Sequence, residues 1–406
     1  MNASIETWIA RQTGLFDHCN AHTLFAWQQQ RAWQCAVRAA QHSAFYRQHL
    51  CGTLDRPHTW AQWQALPLME ASHLAQDPWA LVCTPPRDIS RVVTLRTSGT
   101  QCAKRVCFSR EDLQRTVDFF AHGMHTMVRR GQRAAIFMRG EEPDTVGTLL
   151  QEGLARIGVS AQIVWPLENW TQAVRVASQA QCLIGFPAHM RALAQHAPRL
   201  QVETVLLSAD YVPQSVVHML QSTWHCRILT HYGMTEMGFG GGVQCLCAQG
   251  YHMREADFLF EIVDPQTGRP RPQGEWGEVV ITTLQPRAMP LIRYRTGDLS
   301  RRLTAPCACG STLPRLDKVM GRVGDCIHGA LGIASLDECL LDIPEVKDYR
   351  MRKEEGVWHL SVYAPNAPYA ILEKQIRAAL SEVTPMNLHW AKDPWPYSAQ
   401  KRRVER

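Results

Sequence analysis

Four short stretches of this 406-residue chain carry residue types suited to chemistry, and they come in one order. Thr97-Ser98-Gly99-Thr100 offers hydroxyls on a flexible backbone, a combination that can cradle phosphate oxygens. Tyr232-Gly233-Met234-Thr235-Glu236 follows the apolar run Arg227-Ile-Leu-Thr. A loop at the end of such a strand can bring an aromatic face, a hydroxyl and a carboxylate to one ligand. Arg287-Ala-Met-Pro-Leu-Ile-Arg-Tyr-Arg-Thr-Gly-Asp298 ends on a carboxylate that can accept two hydroxyls at once, and Gly297 permits close backbone approach. Gly321-Arg322-Val-Gly-Asp325 comes last and reads as a hinge. Singly these are weak signals: a Ser/Thr/Gly turn is commonplace, and a lone Tyr or Glu more often packs a core or caps a helix. Their joint order carries the weight.

A second set of donors has metal-ligand spacing. Cys307-Ala-Cys309-Gly310 is a compact two-thiol knuckle after Pro306, and Cys245 is separated from His252 by the turn Gly250-Tyr251. Thiolate and imidazole are the usual zinc donors, and a closed set of four implies a structural site. Cys247 is an alternative to Cys245 or His252. Isolated buried cysteines are usually inert, but two pairs so placed favour zinc.

In their order, these motifs resemble the adenylate-forming superfamily of acyl- and aryl-CoA ligases. The wording Ala288-Met-Pro-Leu-Ile-Arg-Tyr-Arg-Thr-Gly-Asp-Leu299 is similar to its phenylacetate-CoA ligase branch, and the resemblance covers nearly the whole chain. It implies an ATP-dependent, AMP-forming carboxylate–CoA ligase: acyl-adenylate and pyrophosphate form first, then the thiol of CoA attacks the adenylate. By this resemblance Thr97, Ser98, Gly99, Thr100 and Lys104 belong to the phosphate loop. Tyr232 stacks on adenine beside Gly233 and Met234, Thr235 bonds the α-phosphate and Glu236 holds Mg²⁺. The turn Ser208-Ala209-Asp210 lies against adenine, Asp298 takes the ribose hydroxyls, and Arg322 lies near ribose or phosphate. Lys401 is the mobile catalytic lysine, carried past the Asp325 hinge. Some members of the branch share the Cys/His arrangement.

The chain departs from the family pattern twice. Cys102 replaces the second glycine of the phosphate loop, which is also one residue short before Lys104. In the tail Ser398-Ala-Gln-Lys401-Arg-Arg-Val404, alignment on Arg403-Val404 puts Gln400 at the lysine position. Two alternatives therefore stay open: an adenylating enzyme without CoA transfer, and a degenerate non-catalytic nucleotide- and zinc-binding relative. Phe239 and the glycines Gly240, Gly241 and Gly242, with Phe186, are expected to line the acid pocket. Room beside those glycines mildly favours an aryl or arylacetic acid.

These residues need a scaffold. Helical spacing covers residues 4–50, and Ser109 with Asp112 marks a helix start before Arg110. The apolar runs Ala134–Met138, Ala161–Trp165, Cys182–Gly185 and Thr204–Leu207 alternate with helical segments, which argues for a parallel α/β sheet. After Tyr251 short strands between Pro/Gly turns suggest a barrel-like β subdomain. The fold class expected is α/β: a large N-terminal domain of several subdomains (1–322) followed by a small mobile α+β domain (323–406).

Composition excludes several classes. The chain has no Gly-x4-Gly-Lys loop, His-Glu-x-x-His helix or Gly-x-Ser-x-Gly elbow. It has no run of 18 apolar residues, so no membrane span is expected. The start Met1-Asn-Ala-Ser-Ile-Glu lacks a secretory pattern, and fourteen cysteines in a leaderless chain read as reduced thiols plus a metal site, hence a cytoplasmic protein. The net charge of +6 is dispersed except at Lys401-Arg402-Arg403, so no nucleic-acid partner is expected. The expected partner is a small carboxylic acid, and a homodimer is left open.

Overall fold

The computed structural model describes residues 4–54, 59–95, 103–324, 326–328, 331–365, 367–381, 383–393, 395 and 404–405. Helices α1 (Ser4–Thr13), α2 (Ala21–His42), α3 (Ala44–His49), α4 (Trp60–Gln64) and α5 (His73–Gln76) come first. The hairpin β1 (Ile89–Leu95) and β2 (Lys104–Ser109) follows, then α6 (Arg110–Met124). An alternating run comprises β3 (Arg133–Phe137), α7 (Val146–Arg156), β4 (Ser160–Ile163), α8 (Trp170–Ala177), β5 (Cys182–Gly185), α9 (Pro187–His196), β6 (Thr204–Leu207), α10 (Gln214–Trp224) and β7 (Arg227–Tyr232). Short strands come next: β8 (Gly242–Gln244), β9 (Tyr251–Met253), β10 (Phe258–Val263), β11 (Gly277–Thr283), β12 (Tyr294–Ser300), β13 (Arg302–Leu303) and β14 (Arg315–Leu316). The C-terminal stretch holds β15 (Cys326–His328), β16 (Leu331–Gly332), α11 (Ile333–Leu341), β17 (Asp348–Glu354), β18 (Val357–Tyr363), α12 (Tyr369–Ala379) and β19 (Met386–Trp390).

The chain divides into two compact units. The first comprises residues 1–131, 142–160 and 229–319; the second comprises 132–141, 161–228 and 320–406.

In the first unit, α6 begins with the expected cap. The Ser109 hydroxyl meets the Asp112 amide, and Asp112 Oδ2 accepts the Ser109 amide in return at 2.9 Å. Leu113, Val117, Phe120 and Met124 then recur on one buried face. Helix α7 packs on α6 at Gly153, where a Cβ would lie 3.0 Å from Val117 O and 3.1 Å from Ala121 N. Glycine is therefore the residue that lets these helices touch.

Strands β10, β11 and β12 form an antiparallel sheet whose first two members are buried throughout. Arg293, just before β12, is the anchor of this region. Its guanidinium pairs with Glu261 at 3.1 Å and donates to the carbonyls of Gln64 and Leu66, both at 2.6 Å. Trp63 donates to the same glutamate at 3.1 Å, so one carboxylate ties helix α4, strand β10 and β12 together. The barrel-like subdomain is corrected here: among the described residues these strands form no closed barrel. Sheet β10–β11–β12 stands alone, while β8, β9 and β14 add antiparallel onto β7.

In the second unit, β3, β5 and β6 are parallel neighbours, with Ile136 opposite Ile184 and Ile184 opposite Leu206. Both faces are covered, so β5 and β6 read as continuous apolar runs. The same core includes Leu336, Leu340, Trp358, Leu360 and Ile376 from the C-terminal stretch. That stretch adds β17 antiparallel to β18 and β19 parallel to β18. Arg191 of α9 donates to the carbonyls of Val346 (2.6 Å) and Lys347 (2.8 Å), and Glu338 of α11 accepts from the Tyr211 hydroxyl at 2.6 Å.

Candidate active site and metal centre

Strand β7 delivers Tyr232 into a loop that folds back on itself. The Phe239 amide donates to Met234 O at 2.9 Å, and the Gly238 amide to Thr235 O at 2.8 Å. Gly233 makes this closure possible: a Cβ there would sit 2.2 Å from Phe239 O. Thr235–Met237 forms a 3₁₀ turn, ended by Gly238 in the left-handed region (φ +67°). Glu236 is buried on this turn, while Thr235 is half-buried.

Strand β12 delivers Asp298. Glu278 pairs with Leu299 and Val280 with Arg295, so β12 bulges at Thr296-Gly297-Asp298. Gly297 takes a positive φ (+80°), its amide donates to Glu278 Oε1 at 3.0 Å, and the Asp298 amide donates to Thr296 Oγ1 at 3.0 Å. The bulge re-aims Asp298 so that its Oδ2 accepts the Tyr232 hydroxyl at 2.8 Å.

Lys104 opens β2, directly across from Leu95, rather than lying inside the loop. Its Nζ is 3.4 Å from Glu236 Oε1 and 3.4 Å from the Tyr294 hydroxyl, which itself donates to Glu236 Oε1 at 3.1 Å. Lys104, Tyr232, Gly233, Met234, Thr235, Glu236 and Asp298 thus converge in the first unit. Tyr294 joins them without having been singled out from sequence; its place at the head of the strand carrying Asp298 was the available signal.

Ser208-Ala209-Asp210 belongs to the second unit, directly after β6. Ala209 sits at φ +70°, a left-handed conformation that a non-glycine residue adopts at a cost, and such strain clusters at functional turns. Asp210 Oδ1 accepts the Tyr211 amide at 2.8 Å. Arg322, also of the second unit, is exposed. Thr97, Ser98, Gly99, Thr100, Cys102, Asp325, Gln400 and Lys401 lie outside the described residues.

The expected room beside the pocket glycines is filled. A Cβ at Gly240 would lie 2.7 Å from the Phe119 ring, one at Gly241 2.6 Å from Met237 Sδ, and one at Gly242 2.6 Å from Met253 Sδ. These glycines admit neighbouring side chains of the protein itself, so they give no support to a flat-ring substrate.

The metal donors do converge. Cys245 follows β8, His252 lies on β9 opposite Val243 and Arg315, and Cys307 and Cys309 come from the segment between β13 and β14. Their four ligand atoms lie within 4.8 Å of one another. Cys245 Sγ is 3.6 Å from Cys307 Sγ, and Cys309 Sγ is 3.6 Å from His252 Nε2. Zn–S bonds of about 2.3 Å and Zn–N bonds of about 2.0 Å in a tetrahedron require edges of that size. Burial and Arg315 push the His252 imidazole down to about 4, keeping it neutral as a ligand must be. Cys247 is not in the cluster, so the geometry selects Cys245. The donor set fits zinc.

The chain is similar to several known proteins. The family model described as AMP-binding enzyme matches residues 155–286. A phenylacetate-coenzyme A ligase of Thermus thermophilus is 29% identical over 287 residues, covering 66% of this chain and 63% of the relative. That of Escherichia coli is 43% identical over 96 residues, covering 23% of this chain and 21% of the relative. The chain thus spans less than two thirds of the length of these curated relatives. A solved structure of 2-hydroxyisobutyryl-CoA ligase in the postadenylation state shares the fold, with a TM-score of 0.80 at 19% identity over 93% of this chain and 88% of that one. An amide bond synthetase of Marinactinospora thermotolerans superposes with a TM-score of 0.57 at 17% identity over 78% and 68%. Residues 155–286 thus match the AMP-binding enzymes, and the fold is that of a solved CoA ligase. Among curated proteins, the chain is similar to phenylacetate-coenzyme A ligases.

Proposed function

We propose that the protein is an ATP-dependent, AMP-forming carboxylate–CoA ligase, acting in the cytoplasm on a small carboxylic acid. The observation that carries this reading is the pairing of Tyr232 with Asp298 beside the Lys104–Glu236–Tyr294 cluster. In the first step the acid's carboxylate oxygen attacks the α-phosphorus of ATP, and the bond to pyrophosphate breaks. In the second, the CoA sulfur attacks the acyl carbon, AMP leaves, and the thiol proton goes to solvent.

Each residue has a role that its setting permits. Asp298 exchanges the Tyr232 hydroxyl for the two ribose hydroxyls, and the freed Tyr232 ring stacks on adenine. Thr235 donates to the α-phosphate. Glu236 supplies a carboxylate to Mg²⁺, an ion that takes one or two carboxylates plus substrate phosphates. Bound there, Mg²⁺ neutralises charge on the phosphate oxygens. Lys104 reaches the same phosphates from β2, and Thr97-Ser98-Gly99-Thr100 cradles them. Ser208-Ala209-Asp210 holds the adenine edge and Arg322 the ribose or phosphate. Lys401 approaches the acyl phosphate from a C-terminal domain (323–406) hinged at Asp325. Zinc on Cys245, His252, Cys307 and Cys309 is structural, because four protein ligands leave no open position. The acid is an aryl or arylacetic acid, a choice supported by the phenylacetate-CoA ligase relatives.

The test is pyrophosphate release from ATP and Mg²⁺ across a panel of aryl and short-chain acids, with and without CoA. Acid-dependent release accelerated by CoA is the expected result. Release indifferent to CoA transfers the reading to an adenylating enzyme with another acceptor, as the fold neighbour named amide bond synthetase illustrates. A protein that binds ATP but releases no pyrophosphate with any acid is a non-catalytic relative.

A further inference from the structure

Two tyrosines and two carboxylates in the first unit are arranged crosswise. Tyr232 and Glu236 lie four residues apart on one loop, and Tyr294 and Asp298 lie four residues apart on β12. The loop's tyrosine donates to the strand's acid at 2.8 Å, and the strand's tyrosine donates to the loop's acid at 3.1 Å. Each segment therefore orients the carboxylate of the other. Tyr294 has no exposure, so its hydroxyl must find its partners inside the protein. It finds Glu236 Oε1 and Lys104 Nζ, both on the same side of the glutamate. Glu236 Oε2 takes no hydrogen bond from any described residue.

We propose that Tyr294 is a positioning residue for the divalent cation. With Lys104 it fixes Oε1 of Glu236, which leaves Oε2 presented to the metal in one orientation. The crossed Tyr232–Asp298 bond sets the ribose acceptor in the same frame, so metal seat and ribose seat keep a constant separation before nucleotide arrives. Pre-set geometry of this kind spares the reorganisation that a free carboxylate would need on binding. The inference rests on the reading of Glu236 as the cation's seat.

The experiment is an electron paramagnetic resonance titration of Mn²⁺ into the full chain with a non-hydrolysable methylene analogue of ATP, for the wild type, Y294F and E236Q. AMP affinity without metal is measured by calorimetry alongside. Losing one hydrogen bond to a charged group predicts about tenfold weaker Mn²⁺ binding in Y294F, with AMP affinity held. Unchanged Mn²⁺ affinity in folded Y294F, with Mn²⁺ lost in E236Q, overturns the role of Tyr294 alone. Unchanged affinity in E236Q as well overturns the seat itself. Equal losses of Mn²⁺ and AMP binding in Y294F indicate general disorder and overturn the positioning role. Y294M, which also lacks the hydroxyl, serves if Y294F does not fold; failure of both to fold assigns Tyr294 to stability and overturns the proposal.

Discussion

Arg254 and Asp257 form an ion pair in which neither side chain has any exposure, with Arg254 Nε 2.5 Å from Asp257 Oδ2. Asp257 also accepts from Arg115 and lies 3.8 Å from Arg287, so one carboxylate faces three guanidinium groups. The Arg254 guanidinium stacks 5.0 Å from the Phe119 ring and reaches back to Met237 O and Gly240 O at 3.5 Å. The cluster is therefore the floor beneath the loop that carries Glu236.

Removing the carboxylate should be costly. Asp257→Asn leaves two buried cations, Arg254 and Arg287, and the half-buried Arg115 without their anion, a change of the kind that destabilises by about 3–5 kcal/mol. Urea unfolding of the variant checks this; a loss under about 1 kcal/mol would mean that the aromatic rings alone compensate the charge.

Asp298→Asn keeps the shape of the side chain but removes its charge. AMP affinity should fall by about tenfold to a hundredfold, the range for charged hydrogen bonds. Isothermal calorimetry reads this directly, and an unchanged Kd would remove Asp298 from the ribose site.

Zinc content discriminates among the cysteines. Cys307→Ser should lower bound zinc from about one per chain and reduce Tm by about 5–10 °C, since site binding energy is also folding energy. Cys247→Ser should leave both alone. Mass spectrometry of metal content and a thermal melt decide it, and equal losses in the two variants would contradict the ligand set.

Glu255 gives a pH signature. Burial raises its carboxyl from the ordinary 4.5 to about 7, with Arg302 at 3.9 Å only partly offsetting it. The raised group contributes stability that is complete below pH 4.5 and lost as pH rises through 7. Glu255→Gln should remove that slope, and its advantage over the wild type should grow by about 3 kcal/mol between pH 4 and pH 8. Unfolding free energies across that range test it; parallel curves for the two proteins would show that Glu255 titrates normally.

The sequence made some of this legible and left some out, for physical reasons. Periodicity and caps located α6 and the apolar strands β3, β5 and β6, because burial on both faces leaves a continuous apolar run. The cluster of Cys245, His252, Cys307 and Cys309 was readable because metal chemistry restricts residue type and spacing. Strand β2 was hidden by its charged start at Lys104. Tyr294 passed as core material, since a buried tyrosine in a strand looks the same whether its hydroxyl is structural or aimed at a carboxylate. The pocket glycines misled in the opposite sense. A glycine says that something comes close, and only coordinates tell whether that is a ligand, the Phe119 ring or the Met253 sulfur.

Neighbouring residues of β9 face opposite ways, as strand geometry requires. His252 looks to the sulfurs, whereas Tyr251 holds the Thr230 hydroxyl at 3.3 Å and has its ring 6.0 Å from that of Tyr232. The Cys/His cluster and the packing around Tyr232 thus hang from a single strand. Peroxide that converts Cys307 or Cys309 to a sulfenic or sulfinic acid would unhitch one end of that strand, and the slack would arrive at Tyr232. A fold built this way ties the set of Tyr232 to the oxidant load around its cysteines.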